Sequence, residues 1–155
     1  MVISIDLDGT AWEENWDEIG EFKKNFIIVM DRLWREGHII ILNSLREKGT
    51  KQYDDAVDHL EVKNIKYHLF NENLPGLIQR YGEARKISAE VHIDDRDLGW
   101  QYVCDPDDIG GFPNDWQWVY NILTYHPKYT SDREVNLKQH ILLDGIDRVG
   151  TICNP

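Results

Sequence analysis

The stretch Val2-Ile3-Ser4-Ile5-Asp6-Leu7-Asp8-Gly9-Thr10 joins an apolar run to an acidic turn at the start of the chain. Short runs of β-branched and apolar residues that end at a turn signal are typical of buried strands, so we predict a strand over residues 3–7. Its two aspartates flank the last strand residue, and Gly9 permits a sharp turn after them. A plain Asp-Gly turn is the alternative interpretation of this pattern.

Further apolar runs follow along the chain, and two of them also end in polar clusters. Predicted strands over 38–42 and 91–93 end in Asn43-Ser44-Leu45-Arg46 and Asp94-Asp95-Arg96, and another strand is predicted over 67–70. Helical spacing predicts a helix from Phe26 to before Gly37 and further helices over 51–63 and 74–81. This alternation predicts an α/β fold with a doubly wound, mostly parallel sheet. Its strand ends should converge on one ligand site.

Composition narrows the function classes. The chain has 155 residues and a formal net charge of −11, which suits a single domain and opposes nonspecific binding to nucleic acid or anionic lipid. Cys104 and Cys153 lack the spacing of a zinc site or of a disulfide framework. Apolar runs are too short to cross a membrane, so we expect a soluble, cytoplasmic protein without membrane partners.

The paired aspartates suggest phosphoryl chemistry. Carboxylates two residues apart can both reach one substrate, one as a nucleophile and the other as a general acid and base. Their charges call for a divalent cation, and oxygen-only ligands favour Mg²⁺. Asp94 and Asp95 would complete the ligand set, although a helix N-cap would explain one of them equally well.

The motifs together resemble those of the haloacid dehalogenase (HAD) superfamily of phosphohydrolases. The matching residues, in order, are Asp6-Leu7-Asp8-Gly9-Thr10, Ser44 with Arg46, Lys86, and Ile93-Asp94-Asp95-Arg96. Residues 70–75 and 84–89 also look like a subgroup of small, uncharacterised bacterial and phage members. The resemblance covers residues 1 to about 100 and implies a Rossmann-like core.

The resemblance also implies a role for each matching residue. Asp6 would be the nucleophile and a metal ligand, and Asp8 the general acid and base, with its backbone carbonyl on Mg²⁺. Ser44 and Lys86 would bind the phosphoryl group, as would Gly9 and Thr10 of the first motif, and Asp94 and Asp95 would hold the metal directly or through water. A turn serine and a surface lysine are the alternatives for Ser44 and Lys86, and Asn43 would either contact phosphate or cap its strand.

The spacing of the motifs leaves little room for an inserted cap domain, so the resemblance implies a capless or minimally capped member. We predict a catalytic core over 1–100 and an aromatic-rich C-terminal extension over 101–155, packed on the core or acting as a lid. A second copy of the chain is another source of a lid. Residues 12–16 would form either a flap whose aromatics stack on a base or sugar, or an ordinary packed loop. One helix is predicted over 114–125, capped by Asn114, and a short element around 139–143.

The expected function is therefore that of a Mg²⁺-dependent phosphatase acting through an aspartyl-phosphate intermediate on a small phosphate such as a nucleotide or a sugar phosphate. Two alternatives stay open. One is a noncatalytic module that binds phosphate and metal, and the other is a phosphatase of nucleic-acid ends, which suits an open site but lacks a basic track.

Overall fold

The computed structural model describes residues 1–15, 18–84, 86–97 and 112–126. Strands and helices alternate over these ranges, and the last element is a helix. The strands are β1 (Val2–Asp6), β2 (Ile39–Asn43), β3 (Leu69–Phe70) and β4 (Val91–Ile93). The helices are α1 (Phe26–Arg35), α2 (Lys51–Val62), α3 (Pro75–Tyr81) and α4 (Trp116–Thr124).

The strands form one parallel sheet in the order β3-β2-β1-β4. The chain moves outward from β1 to β2 and β3 and then crosses to the other side of β1. This reversal puts a topological switch point between β1 and β4, where ligands bind in open α/β sheets. The predicted α/β class and parallel sheet are confirmed for the described residues.

Helices cover both faces of the sheet, and the strand residues divide between them. Ile3 and Ile5 of β1 belong to the larger apolar cluster, together with buried residues of α1, α2 and α4. Val2 belongs to a smaller cluster, which contains Leu74 and Ile87 from the segments around α3. Because alternate residues of a strand face opposite sides, a strand covered on both faces is mostly apolar, as β2 is from Ile39 to Leu42 and as β1 is apart from buried Ser4 and the terminal Asp6.

The observed element bounds differ slightly from the predicted ones. β1 begins at Val2 because Val2 pairs with Ile39 across the sheet, and β3 is confined to the two residues that pair with β2. Helix α4 begins at Trp116, and Asp115 caps it by accepting a hydrogen bond from the backbone amide of Gln117 at 2.9 Å. The prediction that Asn114 is the cap was wrong.

Helix α4 packs into the same core as β1. The indole of Trp116 is fully buried, contacts Phe26 of α1 edge-on, and donates a hydrogen bond of 2.9 Å to the backbone carbonyl of Thr10. Residues 112–126 therefore pack against the loop that follows β1, through Trp116. The element predicted around 139–143 lies outside the described residues. None of the helices described is both long enough and apolar enough to span a bilayer.

Two tryptophans of α4 allow a matched test of this packing. Trp116→Phe should lower the free energy of unfolding by about 1–3 kcal/mol, because it removes a buried indole donor and leaves the Thr10 carbonyl unpaired. Trp118→Phe deletes the same atoms from a side chain that is 42% exposed, so we expect a change of about 0.5 kcal/mol or less. Urea denaturation measures both, and equal losses would contradict this account.

Candidate active site

Three carboxylates meet at the switch point of the sheet. Asp6 is the last residue of β1, and Asp94 and Asp95 follow β4 directly. Ile5 pairs with Ile93 in the parallel register, so the residues that follow emerge side by side. One oxygen from each of the three carboxylates lies within 4.8 Å of the others. The parallel register therefore produces the grouping that the strand ends predicted.

The loop after β1 is fitted closely against the loop after β4. Gly9 has a φ of +86°, and a Cβ at this position would lie 2.7 Å from a carboxylate oxygen of Asp95. The hydroxyl of Thr10 is buried, bonds to the Asp6 carboxylate, and accepts a hydrogen bond from the Asp95 amide at 2.8 Å. Glycine and threonine are thus needed here for close approach and for loop-to-loop bonding.

The same loop uses its own backbone donors internally. The Gly9 amide donates to the carbonyl of Trp12 at 3.0 Å, and the Thr10 amide donates to the carbonyl of Leu7 at 3.3 Å. Phosphate contact by Gly9 and Thr10 stays a prediction, and in this structure both residues shape the site instead.

The crowding of charge perturbs Asp6. Burial and the charge of Asp94 together raise the pKa of its carboxyl to about 7, against the opposing hydrogen bond from Thr10. Burial and the charge of Asp94 also raise the pKa of Asp95. Three carboxylate oxygens that repel one another are the donor set that suits a hard divalent ion such as Mg²⁺. The residues therefore fit the predicted metal.

Asp8 lies outside this group of three carboxylates and has partners of its own. Arg46 donates to both of its oxygens, from Nη2 at 2.6 Å and from Nε at 3.1 Å, and Ser44 Oγ donates at 2.9 Å. Trp12 Nε1 donates the fourth hydrogen bond at 2.9 Å. Burial of the Asp8 carboxyl disfavours its charge, but these hydrogen bonds outweigh burial and lower its pKa. Metal contact through the Asp8 carbonyl stays a prediction.

Trp12 decides part of the interpretation of residues 12–16. Its ring is fully buried and packs edge-on against Phe22 and His59. It therefore belongs to the core, and the hypothesis that its face stacks on a base or sugar was wrong. Trp16 lies outside the described residues.

Lys86, Asn43 and His92 share a cavity with Asp6 and Asp94 of about 510 Å³. Lys86 is exposed, and no carboxylate of the described residues forms an ion pair with it. Its ammonium group is therefore available to a ligand. Asn43 also lines a second cavity of about 210 Å³, which reaches Asp8 and Ser44. The predicted site residues thus line two cavities that share Asp6, Asn43 and Asp94.

Sequence reasoning assigned no role to four residues that shape this site. Arg46 was part of a motif match only, and its pairing with Asp8 depends on the conformation of the loop after β2. His92 precedes the buried Ile93 of β4 and lines the cavity. Asn71 and Asn73 follow β3, and two amides alternating after a strand were a usable signal.

Comparison with known proteins supports the architecture. No protein-family model matches this chain, and a search of curated proteins found no match either. A solved structure described as a conserved protein coded by a locus of Bacteroides thetaiotaomicron is similar to this chain, with 28% sequence identity and a TM-score of 0.65. The match covers 83% of this chain and 93% of that one. This similarity is consistent with the α/β fold described above.

The carboxylate cluster makes stability depend on pH and on metal. The folded pKa of Asp6 exceeds its unfolded value, so the penalty for its charge is small at about pH 4, grows as pH rises, and is complete above about pH 7. Without metal, Asp6→Asn should therefore raise Tm at pH 8, by roughly 2–4 °C per kcal/mol of relieved repulsion, and raise it less at pH 5.

Mg²⁺ should raise the Tm of the unaltered protein at pH 8 and have a much smaller effect on Asp6→Asn, because a ligand is lost. Asp97→Asn is the matched control, since it removes a nearby charge that is not one of the three clustered carboxylates. Thermal scans with Mg²⁺ or with chelator measure both effects. An equal Mg²⁺ response in the two variants would contradict the site.

Proposed function

We propose that this protein is a Mg²⁺-dependent phosphomonoesterase of the HAD type, with Asp6 as the nucleophile. The observation that carries the proposal is the grouping of Asp6 with Asp94 and Asp95 at the switch point, with Asp8 two residues further along the same loop. A lone nucleophilic carboxylate needs neither neighbouring acids nor a separately held second carboxylate. Phosphoryl transfer needs both features, because the neighbouring acids hold a cation that neutralises charge and the second carboxylate transfers a proton.

In the first half-reaction, an oxygen of Asp6 attacks the phosphorus of the monoester. A bond forms between this oxygen and phosphorus while the bond to the leaving oxygen breaks, and Asp8 gives its proton to that oxygen. The alcohol departs, and the phosphoryl group stays on Asp6 as an acyl phosphate.

In the second half-reaction, water attacks the same phosphorus. The bond to Asp6 breaks and its electron pair returns to the carboxylate, while the Asp8 carboxylate accepts a proton from the water. The sum is one monoester and one water converted to one alcohol and one phosphate. The Asp8 carboxylate is well suited to this second step, since four hydrogen bonds stabilise its charged form.

Charge neutralisation involves both the bound metal and the protein. When bound, Mg²⁺ would be held by Asp6, Asp94 and Asp95 and would neutralise charge on the phosphoryl oxygens. Lys86 offers a positive charge from the wall of the 510 Å³ cavity, and Ser44 offers a hydroxyl donor. Donors already in place at the phosphoryl group lower the barrier, because they need no reorganisation.

The bonds between Asp8 and its partners bear on the first half-reaction. Ser44 and Arg46 are donors that a phosphate would attract, and their transfer to phosphoryl oxygens would leave Asp8 free to take up a proton. If they stay on Asp8, the site would bind phosphate and metal without turnover. This contact is the observation that favours the second candidate, a noncatalytic module, and phosphate release separates the two.

Small phosphomonoesters are the substrates that we propose. A cavity of about 280 Å³ opens beside Asp8 and is lined by Leu45, Arg46 and Thr50, among others. That volume is at the lower limit of typical ligand pockets, so it suits a compact leaving group. The excess of acidic residues favours a neutral leaving group over a polyanionic one.

Asp6→Asn should lower the rate of phosphate release from an aryl phosphate with Mg²⁺ by on the order of 10⁴-fold or more, because the nucleophile is lost. Asp31→Asn makes the same chemical change on the exposed face of α1 and should leave the rate unaltered. Phosphate release in a steady-state assay measures both. A folded Asp6→Asn variant with normal turnover would exclude this mechanism.

Asp8→Asn should affect substrates unequally. Loss of the general acid should cost about 10²–10⁴-fold for an alkyl phosphate, whose leaving oxygen needs the proton, and less for 4-nitrophenyl phosphate, whose leaving group departs as an anion. The ratio of kcat/KM for the two substrates in each variant measures this difference. An equal loss for both would argue against a proton donor at position 8.

A further inference from the structure

We propose that Asn71 and Asn73, on the segment that follows β3, are positioning residues that hold the two phosphate-binding loops of the site at their working distance. Asn71 holds the loop of Ser44 and Arg46, and Asn73 holds the loop of Lys86. The inference rests on the proposed function for its assay, but it is argued from contacts that do not depend on that function.

Asn71 binds the loop after β2 at two points. Its side-chain oxygen accepts a hydrogen bond from the backbone amide of Ser44 at 2.8 Å, and its side-chain nitrogen donates to the carbonyl of Arg46 at 2.9 Å. Its backbone φ is +55°, a left-handed conformation that asparagine tolerates better than most residues. The Asn71 amide therefore holds the backbone on both sides of Leu45 and fixes two of the three residues that donate to Asp8.

Asn73 binds the loop before β4 at three points. Its side-chain nitrogen donates to the carbonyls of Ala84 at 2.9 Å and of Lys86 at 3.0 Å, and its oxygen accepts from the amide of Ser88 at 2.7 Å. The side chain is only 6% exposed. Both amide hydrogens and the oxygen are used, so only an amide of this length satisfies all three backbone groups.

Local packing brings these partners together. Leu74 and Ile87, each adjacent to one end of the Asn73 contact, belong to the same apolar cluster beneath α3. Residues 71 and 73 lie two apart, and side chains two apart in a strand share one face, but the left-handed backbone of Asn71 ends the strand geometry and turns its side chain toward a different loop from that of Asn73. One short segment can thus hold two loops that lie far apart in the sequence.

The consequence is a fixed separation between two donors of the phosphoryl group. The side chain of Lys86 is exposed, and no described carboxylate forms an ion pair with it. The hydrogen bond from Asn73 to the Lys86 carbonyl therefore fixes the backbone of this residue and not its side chain. Ser44 follows a strand end and is also carried by a loop. A displacement of about 1 Å in a catalytic group costs up to about 10²-fold in rate, so fixed loops matter for turnover.

Double-mutant cycles in kcat/KM test the inference, in four pairings. We would combine Asn73→Ser with Lys86→Met and with Ser44→Ala, and Asn71→Ser with the same two changes. Asn121→Ser, an exposed amide on α4, is the matched control. Each asparagine variant alone should have a kcat/KM that is roughly 10- to 100-fold lower than that of the unaltered protein, and the kcat/KM of the control should be unchanged.

The expected result is a crossed pattern. Asn73→Ser should lower kcat/KM little further once Lys86 is replaced, and Asn71→Ser should lower it little further once Ser44 is replaced. In the other two pairings, the fold-losses of the two single variants should multiply. If the asparagines had a merely structural role, the fold-losses in kcat/KM would multiply in all four pairings, and this result would overturn the inference. If Asn73→Ser does not fold, Asn73→Gln, which keeps the amide at the wrong length, takes its place in the cycle.

The same cycles in the Kd of inorganic phosphate, measured by calorimetry with Mg²⁺, separate this inference from the proposed function. Phosphate binding with crossed coupling but no turnover would refute the phosphatase and keep the positioning residues. Turnover without crossed coupling would refute the positioning residues and keep the phosphatase. A wild-type chain that neither turns over substrate nor binds phosphate would overturn both.

Discussion

Repulsion among Asp6, Asp94 and Asp95 is the constraint on which the rest of the structure depends. Parallel pairing of β1 with β4 brings one oxygen of each carboxylate within 4.8 Å of the others, and all three residues are half-buried, so water screens their charges only in part. A folded chain tolerates such a cluster only if a proton or a cation offsets the charge. The raised pKa of Asp6 corresponds to the first solution, and the divalent ion that we propose would be the second. In the proposed metal site, relief of this repulsion would favour binding of the ion.

Asp8 shows the opposite arrangement only two residues away. Arg46 supplies a full positive charge and two hydrogen bonds to the Asp8 carboxylate, and Ser44 and Trp12 each donate one more. Two carboxylates of one loop thus have pKa values displaced in opposite directions by their surroundings. In the absence of ligands the displacement runs opposite to the proposed roles, since a nucleophile must be ionised and a proton donor protonated. A cation at the cluster would lower the pKa of Asp6, and transfer of Ser44 and Arg46 to a phosphate would raise the pKa of Asp8.

The sequence predicts those parts of the structure that depend on strand ends. Apolar runs followed by Asp6, Asn43 and Asp94 lead to a parallel sheet with these residues at one edge, since strand direction alone places them. Contacts that depend on residues distant in the sequence could not be predicted from local patterns. Asn114 and Asp115 are equally good caps by residue type, and the choice depends on Asp115 bonding to Lys24 and Asn25, about 90 positions away. The burial of Trp12 likewise depends on Phe22 and α2.

Every side chain with a proposed chemical role sits at a strand end or in a loop, and loops are ordinarily the most mobile parts of a domain. The chain compensates with polar side chains that bond across from one loop to the next. Thr10 joins the loops after β1 and β4, Asn71 joins those after β3 and β2, and Asn73 joins the segment after β3 to the one before β4. Because each bond links segments distant in sequence, the geometry of the site depends on the whole sheet being folded.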